Sequence, residues 1–192
     1  RRFAQVSHEY LIEQVQENIF SKTINTSLDL NFNHPVKELI FSGAGSTDNV
    51  GAGAGSLLIG PSTPSNLVSN NPYYLEDLKV LLKLNGHNRF DERNLSYFTN
   101  NNVCKYHNGS GGNVLGGTTD LTYGGVSSSY NIGVYSFALK PEEHQPSGTC
   151  NFSRIDTAEL IFKSERGTEL SNDLIVYAVN YNVLRIMSGM GG

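Results

Sequence analysis

Residues Ile24, Thr26, Leu28, Leu30 and Phe32 occupy alternate positions, with Asn25, Ser27, Asp29 and Asn31 between them. Only an extended chain puts every second side chain on one face, so this stretch predicts a half-buried strand with one wet side. The same rule finds strands elsewhere. Residues 36–42 follow the break at His34-Pro35. Residues 78–84 place Val80, Leu82 and Leu84 on one face and Lys79, Leu81 and Lys83 on the other. Asn85-Gly86 comes next, a pair that tolerates positive φ at both turn positions and so predicts a hairpin, with its return strand through Arg89-Phe90. Residues 132–139 and 157–163 read as strands, and residues 97–106 as a weaker one. Residues 174–186 (LIVYAVNYNVLRI) are apolar almost throughout, which predicts a long central strand covered on both faces.

Between these strands the chain is soft. Residues 42–60 (SGAGSTDNVGAGAGSLLIG) and 108–128 (NGSGGNVLGGTTDLTYGGVSS) are long loops rich in Gly, Asn and Ser, and Pro61, Pro64 and Pro72 prolong the first. Helical signal is thin. Residues 7–17 read either as a helix, with Tyr10, Leu11, Gln14 and Val15 on one side, or as an extended linker; residues 72–77 read at most as one turn. Without amphipathic helices between strands a parallel α/β fold is excluded. The expectation is an all-β, eight-stranded jelly-roll sandwich with long loops.

The 192 residues are enough to bury a core without disulfide or metal staples. No run approaches the roughly 18 apolar residues of a membrane span. A net charge of −4 argues against a general nucleic-acid binder. Cys104 and Cys150 form no CxxC, which points to reduced thiols and an intracellular compartment. The ends, Arg1-Arg2-Phe3 and Met190-Gly191-Gly192, read as those of a fragment of a longer protein.

Catalytic constellations are missing from the sequence. His8, His34, His87, His107 and His144 show no metal-ligand spacing, so no metal and no cofactor are expected. Gly51-Ala52-Gly53-Ala54-Gly55 lacks the Lys and helix start of a phosphate loop. Glu142-Glu143, beside Pro141, reads as a pair of solvated loop charges. Four sequons, at Asn25, Asn94, Asn108 and Asn151, are weak glycosylation candidates in a chain this rich in Asn and Ser.

Residues 136–156 (SFALKPEEHQPSGTCNFSRID) are more specific. An outgoing strand would stop at Pro141, which cannot donate to a ladder. A rigid corner through Gln145, Pro146 and Gly148 would follow, with Asn151 beyond it and a new strand from about Ile155. On that strand Arg154 and Asp156 would share a side and pin the corner. This run closely resembles the corresponding stretch in the major capsid proteins of large nucleocytoplasmic DNA viruses, such as the chlorella viruses and iridoviruses. FAQVSHEYLIEQVQ (residues 3–16), LKLNGHNRF (82–90) and VYAVNYNVLRIMSGMGG (176–192) resemble that family's inter-domain join, central hairpin and last strand with its tail.

The resemblance implies the second half of a double jelly roll, with residues 1–20 as an inter-domain linker and residues 21–192 as the C-terminal jelly-roll domain. It implies a structural, non-catalytic major capsid protein, forming homotrimers of pseudo-hexagonal outline that tile an icosahedral shell. Its partners would be itself, neighbouring capsomers and minor capsid proteins. Nucleic acid would not be contacted directly, and an inner membrane only indirectly. The place would be the virion capsid, assembled in the host cytoplasm. Tyr73, Tyr74, Tyr97, Tyr106, Tyr123 and Tyr130 suit either interfaces or the domain's own packing. The alternatives are a lectin-like glycan- or receptor-binding jelly roll, for which Asp48-Asn49 and Asp120 are available, and a metal-dependent cupin-type enzyme.

Overall fold

The computed structural model describes residues 6–21, 23–43, 59–60, 78–108, 113–114, 128–129, 132–165, 169–170, 173–187 and 190–191. The strands are β1 (His8–Phe20), β2 (Ser27–Asp29), β3 (Pro35–Gly43), β4 (Ile59–Gly60), β5 (Lys79–Leu84), β6 (His87–Asn88) and β7 (Arg93–Asn94). They continue with β8 (Asn113–Val114), β9 (Ser128–Ser129), β10 (Ile132–Ser136), β11 (Cys150–Asn151) and β12 (Ala158–Lys163). The last are β13 (Glu169–Leu170), β14 (Leu174–Met187) and β15 (Met190–Gly191).

The first sheet runs β1-β14-β3-β10, with β11 on β3 and β15 on β14; the second runs β2-β12-β5-β6, with β7 on β5. Every pairing within them is antiparallel. Four strands lie on each main path, and short additions make the sheets six- and five-stranded, against the eight strands expected in all. Successive strands β1, β2, β3 and β5 alternate between the sheets, so the chain wraps around its core as a jelly roll does. Two separate ribbons pair β4 with β13 and β8 with β9.

Alternation decides which residues meet inside. Val36, Leu39 and Phe41 of β3, and Val176 and Ala178 of β14, face Val80 and Leu82 of β5 and Leu160 and Phe162 of β12, all buried. Aromatic rings cross the interior in a continuous series: Phe162 on Phe41, Phe41 on Phe98, then Phe90, Tyr135, Phe137, Phe152 and Phe32. Gly133, opposite Phe41 in the β3–β10 pair, has no side chain because the Phe41 ring occupies that space; a Cβ there would lie 2.1 Å from Cε2.

The structure departs from the sequence reading, or decides between its alternatives, at several places. Residues 97–106 are helical: a π-helical turn (Tyr97–Asn101) leads into α1 (Asn102–Tyr106). The helix wins because it sinks Phe98 into the aromatic core and lets buried Asn102 donate through Nδ2 to the Val134 carbonyl at 2.9 Å, covering the edge strand β10. Residues 7–17 are not a helix; thirteen residues of β1 pair with β14. Within residues 24–32 only Ser27–Asp29 is regular strand, since Asn25 turns at φ 58°; Ile24, Leu28, Leu30 and Phe32 are buried as the alternation demands, whereas Thr26 of the same set is exposed. β14 is central but is not covered on both faces along its length: Leu174, Val176 and Ala178 are buried, whereas Val183, Arg185 and Met187 are exposed. The expected loops at 44–58, 61–77, 109–112 and 115–127, with the glycine run at 51–55 and the turn at 72–77, lie outside the described residues.

The Asn85-Gly86 hairpin forms as expected, both residues at positive φ (51° and 77°). Its return strand is His87–Asn88, and Arg89 still donates its N–H to the Leu82 carbonyl at 2.8 Å.

Candidate assembly surface

Opposed residues in an antiparallel pair share a face. On the side of the first sheet away from the core, β1 therefore presents Glu9, Leu11, Glu13, Val15, Glu17 and Ile19, and β14 presents Arg185, Val183, Tyr181, Val179, Tyr177 and Ile175 opposite them. Acidic and aliphatic residues alternate along the outer stripe of β1. Val15 and Ile19 are more than 60% exposed (64% and 62%), and Leu11, Val183 and Met187 are exposed as well. An aliphatic band thus runs down an edge strand and its neighbour. Polar ties hold β1 from behind: Gln16 Nε2 donates to the Asn33 carbonyl and to Asn180 Oδ1, while Asn18 Oδ1 accepts from the Asn31 N–H.

Beside the aliphatic band the same face is charged. Lys37 Nζ lies 2.8 Å from Glu13 Oε1 and 5.6 Å over the Tyr181 ring. His107 Nε2 lies 2.9 Å from buried Glu38 Oε2, and its Nδ1 lies 3.3 Å from Glu142 Oε1. The Glu38 contact is close but is not an aligned hydrogen bond. Burial pushes the Glu38 carboxyl above its ordinary range, and the neighbouring His107 and Lys37 pull it part of the way back. Glu142 also accepts from the Asn108 N–H (2.9 Å) and its side-chain amide. Glu142 is an exposed loop charge as expected, but it is also engaged by His107 and Asn108; Glu143 pairs with Lys140 at the surface.

The corner singled out by sequence lies against this patch. The strand stops at Ser136, because the N–H groups of Phe137 and Ala138 both turn to the Lys37 carbonyl. Pro141 is buried, while Gln145, Pro146, Gly148, Asn151, Arg154 and Asp156 are exposed. Gly148 sits at φ 143°, where a Cβ would meet the Phe137 carbonyl oxygen at 2.9 Å. No ion pair joins Arg154 to Asp156 among the described residues, and Phe152–Arg154 is a 3-10 turn, so the next strand starts at Ala158 and not near Ile155. Neutral groups pin the corner instead. Asn85 Oδ1 accepts from the N–H groups of Asp156 (2.8 Å) and Thr157 (3.2 Å), Asn151 Oδ1 accepts from Ser153, and Ser153 Oγ accepts from His34. Two stretches with the viral resemblance, the hairpin and the corner, therefore meet through Asn85.

Among the sequons, Asn25 exchanges side-chain bonds with the backbone of Ser164, donating to its carbonyl and accepting from its N–H. Asn108 is engaged by Glu142, whereas Asn94 is an exposed residue of β7. Cys104 and Cys150 are not joined in a disulfide, and burial raises the Cys150 pKa. Tyr97 stacks edge-on against Phe98 within the domain; Tyr73, Tyr74, Tyr123 and Tyr130, like Asp48, Asn49 and Asp120, lie outside the described residues. Among the described residues no His, Cys, Asp and Glu group forms a metal site, and no helix is long and apolar enough to cross a membrane.

The described residues thus form a two-sheet jelly roll with exposed aliphatic residues on the outer face of its first sheet. The chain belongs to the family of large eukaryotic DNA virus major capsid proteins, whose model matches residues 1–112 and 120–192. It is 43% identical over 198 residues to the major capsid protein of Pyramimonas orientalis virus, covering all of this chain and 44% of that protein. It is 39% identical over 235 residues to that of Paramecium bursaria Chlorella virus 1, covering all of this chain and 49% of the relative. A quasi-atomic model of the PBCV-1 virus capsid superposes with a TM-score of 0.68 at 34% identity, covering all of this chain and 52% of that one. The Faustovirus major capsid protein, at 16% identity and a TM-score of 0.50, shares the fold. The chain thus spans about half the length of the curated relatives it matches. These relatives give no support to a lectin-like module, and the family is one of structural capsid proteins, not of enzymes.

Proposed function

We propose that this chain is the C-terminal jelly roll of a double jelly-roll major capsid protein, with residues 1–20 leading in from the first jelly roll and residues 21–192 forming the domain. β1 then joins the sheet while carrying the chain into it. The protein forms homotrimers of pseudo-hexagonal outline, which tile an icosahedral shell with neighbouring capsomers and minor capsid proteins and perform no catalysis. Assembly takes place in the host cytoplasm, with no direct contact to nucleic acid and only indirect contact to an inner membrane.

The family match along nearly the whole chain carries this reading. The aliphatic outer face of β1 and β14 supports it, because exposed bands of this kind mark interaction surfaces. Light scattering after size exclusion tests it on the full-length protein: three chains per particle are expected, and a stable monomer at capsid-forming concentrations overturns the trimer.

A further inference from the structure

We propose that Glu38, His107 and Glu142 form a proton-operated clasp: a proton held on the imidazole seats the Pro141–Ser147 corner on the outer face of the first sheet, and its loss releases the corner.

Both nitrogens of the His107 ring face carboxylate oxygens, Nε2 toward Glu38 at 2.9 Å and Nδ1 toward Glu142 at 3.3 Å. A neutral imidazole carries one N–H donor and one lone pair, so it serves one carboxylate and presents a lone pair to the other. Only an imidazolium attracts both. The two carboxylates come from different elements, Glu38 from the middle of β3 and Glu142 from the corner, while His107 ends α1. The doubly protonated ring therefore ties three parts of the molecule together.

The surroundings make the proton matter. Glu38 is buried, and the cations available to it are Lys37 and His107; Glu13 repels it. Lys37 is itself engaged by Glu13, which also lies 3.6 Å from His144 Nδ1, and the Tyr181 phenol stands close to Lys37, Glu13 and Glu38. Asn108, next to His107, also donates to Glu142 through its N–H and its side-chain amide, so residues 107 and 108 and the corner form one linked unit. The clasp needs the imidazole protonated while both carboxylates stay ionised, so the Glu38 carboxyl, raised by burial, limits it at the acid end. Imidazole side chains as a class change charge between about pH 5 and 8. The clasp is closed on the acid side of that window and open on the alkaline side.

Hydrogen exchange read by mass spectrometry on the full-length protein at about pH 6 and about pH 8.5, corrected for the intrinsic rate, tests this. Peptides covering residues 137–148 are expected to lose protection about tenfold at the higher pH, while the core strands β3 and β12 keep theirs. His107→Gln should abolish the pH response in the corner. Glu142→Gln, at a half-exposed position, gives the same loss of response if His107→Gln does not fold. Equal protection of the corner at both pH values, or a response that survives in either variant, overturns the clasp.

Discussion

The outer faces of the two sheets obey the same alternation but differ in how much aliphatic surface they expose. On the second sheet the outward positions are Lys79, Leu81 and Lys83 of β5, Glu159, Ile161 and Lys163 of β12, and Ser27 and Asp29 of β2. Charges surround the two aliphatic residues, which are themselves buried, and Lys163 reaches across to Glu92. On the first sheet Leu11, Val15, Ile19 and Val183 stand exposed, interleaved along β1 with Glu9, Glu13 and Glu17, and further charge gathers around Lys37 and Glu38. A strand needs one apolar face to fold against the core. A second apolar face adds nothing to that requirement, so the outer band on β1 and β14 has another use, whereas the charged face of the second sheet is suited to water.

The largest effect expected from this contrast is between inside and outside of the same sheet. Phe41 touches Phe98 and Phe162 and fills the space over Gly133. Phe41→Ala should cost about 3–5 kcal/mol in chemical denaturation, because transfer and cavity losses add. A cost below about 1 kcal/mol would mean that the aromatic series does not organise the core. The next effect lies at the corner. Gly148→Ala forces a side chain into positive φ and against a carbonyl, and Asn85→Ala removes an acceptor shared by two N–H groups. Each should cost about 1–3 kcal/mol, measured the same way.

These two sites also show how far sequence reading goes. Asn85-Gly86 was legible because a two-residue turn leaves a local chemical signature, and the alternation in 24–32 named the buried apolar residues correctly even where regular strand was absent. The long corner was legible only as a resemblance. Its physical anchors are Asn85, Ser153 and Glu142, and two of these partnerships span 71 and 119 positions, which no local pattern reveals. The helix at 97–106 was missed for a related reason. Phe98, Thr99, Val103 and Tyr106 are at home in strands, and what selects the helix is a pocket in the aromatic core and an uncovered edge at β10. The alternation of Glu with Leu11, Val15 and Ile19 is present in residues 9–19, but without knowing that β14 lies alongside it gave no choice between helix and extended chain.

Substitutions on the outer band should separate folding from assembly. Val15→Glu and Val183→Glu, at exposed positions, are expected to leave the unfolding free energy within about 0.5 kcal/mol of the parent. They should nevertheless reduce the trimer fraction of the full-length protein at a given concentration. Lys83→Glu on the second sheet serves as the matched control and should leave the trimer fraction unchanged. If the control weakens assembly and the band variants do not, the assignment of the two faces is reversed.

The smallest effect is at the far end of the same ribbon, where Arg185 meets Glu9 through Nε at 2.8 Å and Nη2 at 2.6 Å, with both side chains more than half exposed. In water such a pair gains little, since solvent screens it and both chains lose freedom; a double-mutant cycle of Glu9→Gln and Arg185→Gln on unassembled protein should give a coupling below about 1 kcal/mol that shrinks with salt. The same cycle applied to the dissociation of assembled particles is the sharper measurement. If the outer face is covered on assembly, water leaves the pair and the coupling should rise and lose its salt dependence, because charge pairs strengthen when they are desolvated with their geometry kept. A coupling that is equal in both states would place this end of β1 in solvent and confine any contact to the stretch around Val15 and Ile19, where the exposed aliphatic surface is greatest.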